Sequence, residues 1–341
     1  MLKKAISIIV KYVLPMVIGV WLFYFLYQNV DLEQMRQISS EVNYWWFVPV
    51  VLINLATYFF RSWRWQLQLR AIGVNPPYHA ILNSIFGTYA VNLLFPRLGE
   101  VWRTGYIAQR EKASFTAVFG SMMADRLSDT RTVALIMLLT LVLAFPALEK
   151  FFITYPAFYE RLVHLATSPV LWGTVIVIAI AIAVLVRIHP QSGPVAKVKA
   201  MAVQFWNGFS ALLTMPHRTL FVLLTIGIWG GYFMQMYFAF YAFDFTADLG
   251  VVAALVVFVL SSIGMAVPTN GGLGAWHVAT IFGLSIYGVG TFDPQCFDPR
   301  ATAFAAIVWG IETLEVIVLG IYALVAIALD KGNKPAVKVS E

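Results

Sequence analysis

The chain has 341 residues, of which 60% are hydrophobic and only 12% are charged. Soluble domains carry about 25% charged residues, so this composition excludes an ordinary soluble enzyme. The single cysteine, Cys296, excludes a disulfide framework, zinc fingers and CxxC sites. The net charge is +6, and the basic residues are expected to face one side of a membrane rather than nucleic acid.

Eight apolar runs are long enough to cross about 30 Å of hydrocarbon. In chain order they cover residues 8–27, 45–60, 129–147, 170–187, 219–243, 249–267, 272–289 and 301–329. The first run lacks a small-residue cleavage site, so we expect a retained helix rather than a signal peptide. The run 79–95 is interrupted by polar residues and either crosses the membrane or re-enters it. The sequence therefore predicts an all-α, polytopic transmembrane helical bundle with about eight spanning helices plus re-entrant segments, in one integral membrane domain.

The basic residues predict the orientation. If 79–95 returns to its own side, only Arg36, Lys150, Arg161 and Arg300 of the 23 basic residues lie opposite the two termini. The positive-inside rule then places both termini in the cytoplasm. On that side we expect Arg61, Arg64 and Arg70 to contact lipid headgroups, and residues 197–217 to form an amphipathic interfacial helix.

A similar break in the hydrophobic pattern occurs twice. Pro96–Arg103 and Pro268–His277 each contain a proline after an apolar residue, then polar residues and glycine, then Trp followed by a basic or titratable residue. Paired Gly/Pro breaks in two halves of a chain are typical of transporter sites at a repeat interface. The sequence predicts an inverted repeat with halves at about 45–147 and 219–329. Two unrelated breaks are the alternative, because the alignment needs a two-residue gap.

Charged residues accompany the first break. Arg97, Glu100 and Arg103 are three residues apart, so they are expected to share a helix face on which Glu100 pairs with either arginine. Two guanidinium groups beside a membrane dip could hold a phosphate in bidentate fashion. The alternative is a cytoplasmic loop that simply follows the positive-inside rule.

Further carboxylates lie near or within apolar runs. Asp125 and Asp129 are predicted to share a face, with Arg126 in reach of Asp129, where an apolar helical segment meets the run from residue 132. They form either a helix-end ion-pair network or a second cluster facing the Arg97 loop. Glu312 and Glu315 lie inside the last run, where carboxylates are costly and mark ion or proton pathways. They relay protons or cations, pair with an arginine, or reach an interface.

No enzyme motif is complete. Gly271, Gly272 and Gly274 do not form a P-loop, since no GK[ST] follows. The five histidines show no metal-ligand spacing, and His277 is either an interior residue or part of a site at the second break. We predict no catalytic residue, metal or cofactor.

Together these motifs resemble the transmembrane, flippase-like domain of lysylphosphatidylglycerol synthases, which also occurs as stand-alone membrane proteins, over roughly residues 10–330. The family pattern P-x-R-x-G-E-x-x-R stands here as Pro96, Arg97, Gly99, Glu100 and Arg103. E-R-x-x-D stands as Asp125, Arg126 and Asp129, with Asp replacing Glu. P-G-G-x-G followed by an acid stands as Asn270, Gly271, Gly272, Gly274 and then His277, so the second proline and the acid are lost.

The resemblance implies a bacterial inner-membrane protein that moves a lipid, expected to be anionic, between leaflets. The synthases carry a soluble aminoacyl-transferase domain after this region, whereas this chain ends about a dozen residues after its last run, so we do not expect it to aminoacylate lipid. Its partners would be membrane lipids, and a separate synthase or an envelope protein. The alternatives are a membrane-embedded enzyme acting on a lipid-linked substrate, and a structural or regulatory partner. We expect the headgroup to contact Arg97, Gly99, Glu100, Arg103, Asp125, Arg126, Asp129, Gly271, Gly272, Gly274 and His277, with Glu312 and Glu315 compensating the arginines or carrying protons.

Overall fold

A computed structural model describes residues 14–28, 31–188, 217–291 and 297–330. Within these ranges the chain forms fourteen α-helices and two short 3-10 turns, with no β-strand, which confirms the all-α class. The amphipathic helix predicted at 197–217 lies outside the described residues, apart from His217.

The chain divides into two compact units, residues 144–215 and the remainder. The smaller unit contains α7 (Phe145–Thr154), α8 (Pro156–Thr167) and α9 (Pro169–Ile188). The larger unit holds every residue of the candidate site. Its helices are α1 (Leu14–Tyr27), α2 (Leu32–Glu41), α3 (Phe47–Ala71), α4 (Tyr78–Leu94), α5 (Leu98–Arg110), α6 (Phe115–Leu143), α10 (Arg218–Phe240), α11 (Asp244–Ala247), α12 (Gly250–Ala266), α13 (Ala275–Ile286) and α14 (Pro299–Leu329).

Two described helices, α10 and α14, are each long and apolar enough to cross a membrane, and the number rises to four if each of two bent helix pairs is one span. The expectation of about eight crossings is therefore not confirmed. The run at 272–289 illustrates why: its helix, α13, has only 12 residues, about 18 Å at 1.5 Å per residue. Residues 267–274 instead form an irregular turn.

The charged segment 125–129 does not lie at a helix end. It falls inside α6, which continues without interruption for 29 residues. The carboxylates there are consequently held at fixed positions on a long helix, and Asp125 and Asp129, one turn apart, are both buried.

A series of four helices with similar lengths occurs twice in the larger unit. Helices α3 to α6 have 25, 17, 13 and 29 residues, and α10, α12, α13 and α14 have 23, 17, 12 and 31. The first helices of the two series, α3 and α10, pack along each other, while α4 packs on α14 and α12 on α6. In each series the second and third helices form a hairpin around one of the two sequence breaks.

Candidate functional site

The first hairpin turns at Phe95–Arg97, between α4 and α5. Arg97 precedes α5 with φ 63° and ψ 3°, in the left-handed region. A residue other than glycine is strained there, so Arg97 is held in this conformation by its surroundings.

The second hairpin turns at residues 267–274, between α12 and α13. Gly271 has φ 56° and ψ 28°, and a Cβ atom at this position would lie 2.5 Å from Cδ2 of Leu93 in the first hairpin. The backbone conformation therefore favours glycine, and any larger residue would also force the side chain of Leu93 to move. Gly272 and Gly274 also have positive φ, 79° and 78°, and complete the turn.

The two turns meet, and each caps the other hairpin. Nη2 of Arg97 donates to the carbonyl oxygen of Ala266, the last residue of α12, at 2.7 Å. Nδ2 of Asn270 donates to the carbonyl oxygens of Leu93 and Leu94, the last residues of α4, at 3.1 and 2.8 Å. The last carbonyl groups of a helix have no partner within it, and here each hairpin supplies donors to those of the other.

Gly99 and Glu100 close the first hairpin from inside. A Cβ atom on Gly99 would lie 2.2 Å from the carbonyl oxygen of Thr88, and its amide donates to Oδ1 of Asn92 at 2.8 Å. Glu100 Oε2 accepts from Nδ2 of Asn92 at 3.2 Å. In the described ranges Glu100 forms no ion pair within 4 Å with Arg97 or Arg103, because its hydrogen bond goes to Asn92. Arg103 and Arg126 are nevertheless close enough to attract its charge, so Glu100 belongs electrostatically to the arginine network described next.

A buried ion network lies between α3 and α6. Asp129 accepts hydrogen bonds from Arg61 and from Nη2 of Arg64, the latter at 2.6 Å. Arg64 also lies 2.8 Å from Oδ1 of Asp125, and Nε1 of Trp229 on α10 donates to Asp129 at 3.4 Å. Burying charges is tolerated only where partners of opposite charge are held in good geometry, and two arginines on α3 meet that need.

The prediction that Arg61 and Arg64 contact lipid headgroups is wrong. Their exposed fractions are 5% and 0%, whereas Arg70 at the end of α3 is exposed. The spacing contained a signal for this difference: Asn54, Tyr58, Arg61 and Trp65 recur at intervals of four, three and four residues, and so form one buried face of α3.

Arg103 is completely buried on α5. Its guanidinium carbon lies 4.4 Å from the ring centre of Trp65, and Nη2 is 3.6 Å from Oδ2 of Asp125. No nitrogen of this guanidinium group has a hydrogen-bond acceptor among the described residues. Arg126 lies 3.9 Å from Oδ2 of Asp129, as the sequence predicts. The network thus contains the four cations Arg61, Arg64, Arg103 and Arg126 and the three acids Glu100, Asp125 and Asp129.

The last helix, α14, contacts both hairpin series. Nε1 of Trp309 donates to the carbonyl oxygen of Gly271 at 2.8 Å, and Oε2 of Glu315 accepts from Nδ2 of Asn54 on α3 at 3.0 Å. Glu312 lies one turn before Glu315. Both glutamates are half-buried, and within the described residues neither forms an ion pair with the arginine network.

His277, in the first turn of α13, has an exposed fraction of 0%. The rings of Phe23, Tyr27, Trp276 and Trp309 surround it at centroid distances of 5.2 to 6.1 Å, and neither of its ring nitrogens has a hydrogen-bond partner in the described ranges. The structure therefore places this residue in an aromatic pocket, apart from the network that contains Arg103, Asp125 and Asp129.

The family described as lysylphosphatidylglycerol synthase TM region matches residues 12–294. The chain belongs to this family. The match covers both hairpins and the ion network, and α14 follows it. No curated protein matches the chain, and no solved structure does. Membership of the lysylphosphatidylglycerol synthase TM family, together with the apolar helices, identifies a membrane-embedded protein related to lipid handling.

Proposed function

We propose that this protein is a flippase-like transporter that moves a lipid with an anionic headgroup between the two leaflets of the bacterial inner membrane. The reciprocal capping of the two hairpins carries the proposal. Irregular backbone at membrane depth is tolerated only where protein buries it or where it lines a cavity, and paired broken helices in two halves of a chain form the substrate sites of transporters.

The charges beside the hairpins favour an anionic group. Helices α5 and α13 both begin at the hairpin turns, and the N-terminus of a helix attracts anions. Arg103 lies near Asp125, but its N–H groups have no hydrogen-bond acceptor among the described residues. The network also contains one more cation than acid. A headgroup phosphate that enters when the hairpins separate would receive bidentate hydrogen bonds from a guanidinium group, while the acyl chains remain in the bilayer.

The proposal includes the topology expected from the sequence, with about eight crossings, an inverted repeat and both termini in the cytoplasm. It also makes the protein a transporter and not an enzyme: the lipid changes leaflet but not mass. A separate synthase or envelope protein would act on the lipid before or after this step.

The test is reconstitution into liposomes that contain phosphatidylglycerol labelled on its headgroup, with an external quencher reporting which leaflet the label occupies. We expect the wild type to make the inner label accessible. Replacing Arg103 by Gln should slow this by about tenfold or more, because hydrogen bonds to charged groups contribute about 1.5–3 kcal/mol. Arg36→Gln, at a side chain that is 82% exposed, is the matched control and should keep the wild-type rate.

Two results would overturn the proposal. One is a wild-type rate equal to that of protein-free liposomes for anionic, zwitterionic and isoprenoid-phosphate lipids. The other is a change in lipid mass in the same liposomes, which would indicate a membrane-embedded enzyme. Size-exclusion profiles of the variants check that each remains folded.

A further inference from the structure

The last helices of the two series, α6 and α14, each carry two carboxylates about one turn apart near mid-length. These are Asp125 and Asp129 in α6 and Glu312 and Glu315 in α14. The aspartates are compensated by Arg61 and Arg64. Among the described residues, neither glutamate has a cationic partner within 4 Å. The two related positions therefore differ in how their charge is neutralised.

Glu315 is only partly satisfied by hydrogen bonds. Oε2 accepts from Asn54, but Oε1 is buried and has no partner in the described ranges. A carboxylate in an apolar helix with no counter-charge is costly, and it becomes neutral by taking up a proton. A bound metal ion would need several oxygen ligands, and the described residues contain no group of three or more acidic, His or Cys side chains that could hold one.

A polar path joins Glu315 to the arginine network along one face of α3. Nδ2 of Asn54 also donates to the hydroxyl of Tyr58, at 3.3 Å. The rings of Tyr58 and Tyr89 meet edge to face with centroids 5.1 Å apart; this is the step of the path without a direct hydrogen bond. Arg61 then donates to the Tyr89 hydroxyl and to Asp129. Asn54 and Arg61 are seven residues apart, so this path covers about 10 Å of the helix.

A second buried donor that has no acceptor in the described part of the chain, Nε2 of Gln235, lies on α10 at about the same level along α3 as Asn54. Gly227 and Gly231 of α10 pack against Phe60 and Thr57 of α3, so the two helices run antiparallel. Gln235 continues this face one turn further on. It is 4% exposed, and its Nε2 has no acceptor within the described ranges, although buried donors are normally paired.

We propose that Glu315, with Glu312, is a proton-binding site that couples proton movement to headgroup transport through Asn54, Tyr58, Tyr89 and Arg61. The Glu315 carboxylate takes up one proton from the side of higher proton activity and becomes a neutral acid. It then no longer needs the amide of Asn54 as a donor, and the change passes along α3 to the bond between Arg61 and Asp129. Release of the same proton to the other side restores the carboxylate, and the lipid is chemically unchanged.

The proposal rests on the proposed function and names its energy source. Glu312 and Glu315 lie on α14, beyond the residues that match the family. The elements packed against α14 carry these titratable or charged groups: Tyr58, Arg61, Arg64 and Arg70 on α3, Tyr78, His79 and Tyr89 on α4, His277 on α13, and Glu33, Arg36 and Glu41 on α2. Tyr232 of α10 adjoins Tyr89.

The experiment uses proteoliposomes with headgroup-labelled phosphatidylglycerol, a pH-sensitive dye inside, and the membrane potential clamped to zero. If one proton moves per lipid, one pH unit across the membrane shifts the steady-state ratio of label between leaflets by up to about tenfold. Glu315→Gln keeps an acceptor for Asn54 but cannot titrate, so the ratio should stay near one. Glu149→Gln, at an exposed carboxylate, should behave as the wild type.

The outcomes separate the two proposals. A wild type that exchanges lipid but ignores the pH gradient overturns proton coupling and leaves transport standing. A wild type that follows a sodium gradient instead also overturns it. A wild type that exchanges no lipid overturns the proposed function itself. If Glu315→Gln fails to fold, Tyr58→Phe, which removes only a hydroxyl group, provides the test: an unchanged gradient response would overturn the path.

Discussion

Arg97 and Asn270 perform the same task for each other's hairpin: each side chain satisfies carbonyl groups at the end of the helix that leads into the opposite turn. Neither contact is local, since the atoms joined are 169 and about 177 residues apart in sequence. Arg97 and Asn270 therefore hold together two hairpin turns that are far apart in the sequence.

The left-handed conformation of Arg97 leads to a first prediction. Arg97→Ala and Arg97→Gly both remove the guanidinium group, so both should slow lipid exchange to the same extent. Only glycine relieves the backbone strain, which is about 1 kcal/mol or more for other residues. Thermal unfolding in detergent should therefore show Arg97→Gly to be the more stable of the two. Equal melting temperatures would contradict the assigned conformation.

Gly99 gives a second prediction with a control in the same helix. Gly99→Ala forces a methyl group against the carbonyl oxygen of Thr88, 2.2 Å away, and should destabilise the hairpin by about 1–3 kcal/mol. Gly105→Ala meets nothing within 4 Å and should raise helix stability by up to about 1 kcal/mol. Melting temperatures that fall equally for both variants would show that the α4–α5 contact is not close.

A third prediction concerns the ion network. Asp129→Asn leaves Arg61 and Arg64 buried without their shared counter-charge, and removing one partner of a buried pair costs about 3–5 kcal/mol. We expect a large drop in the melting temperature, measured by tryptophan fluorescence. Asp248→Asn, at an exposed position, should leave the melting temperature within error of the wild type, and a similar drop there would point to a general effect of lost charge.

The aromatic support of Arg103 gives a fourth prediction. Trp65 presents its ring face to the guanidinium group, and desolvated cation–π contacts contribute about 2 kcal/mol. Stability and lipid exchange should therefore decrease in the order Trp, Phe, Leu at position 65. The same series at Trp63, which is 44% exposed, should show no such order. Equal behaviour of Phe and Leu at position 65 would mean that volume, rather than the ring face, supports Arg103.

The sequence was sufficient for the helical class and the family, because long apolar runs and the spaced motif from Pro96 to Arg103 are local signals. It also indicated the approach of Arg126 to Asp129, since residues three apart share a helix face. The positions of the two breaks were equally readable, because proline and glycine interrupt helices for reasons that depend on the backbone alone.

The interior of the site was not readable in the same way. Arg61 and Arg64 look like lipid anchors because they flank Trp63 and Trp65 at the end of an apolar run, as the positive-inside rule expects. Their burial depends on α6, which supplies two aspartates from about 65 residues away. Glu100 prefers Asn92 over either arginine because the hairpin turn brings α4 alongside α5. Such pairings are set by tertiary packing: the spacing along α3 indicates that one face is buried, but it does not reveal which residues of other helices that face meets.

The exchange of caps between Arg97 and Asn270 also limits how the two hairpins can separate. Movement of either turn away from the other breaks the hydrogen bonds of Arg97 and Asn270 together, because each of these bonds joins the two turns. We therefore expect the two hairpins to separate in one cooperative step, from a closed state to an open state, with no stable intermediate.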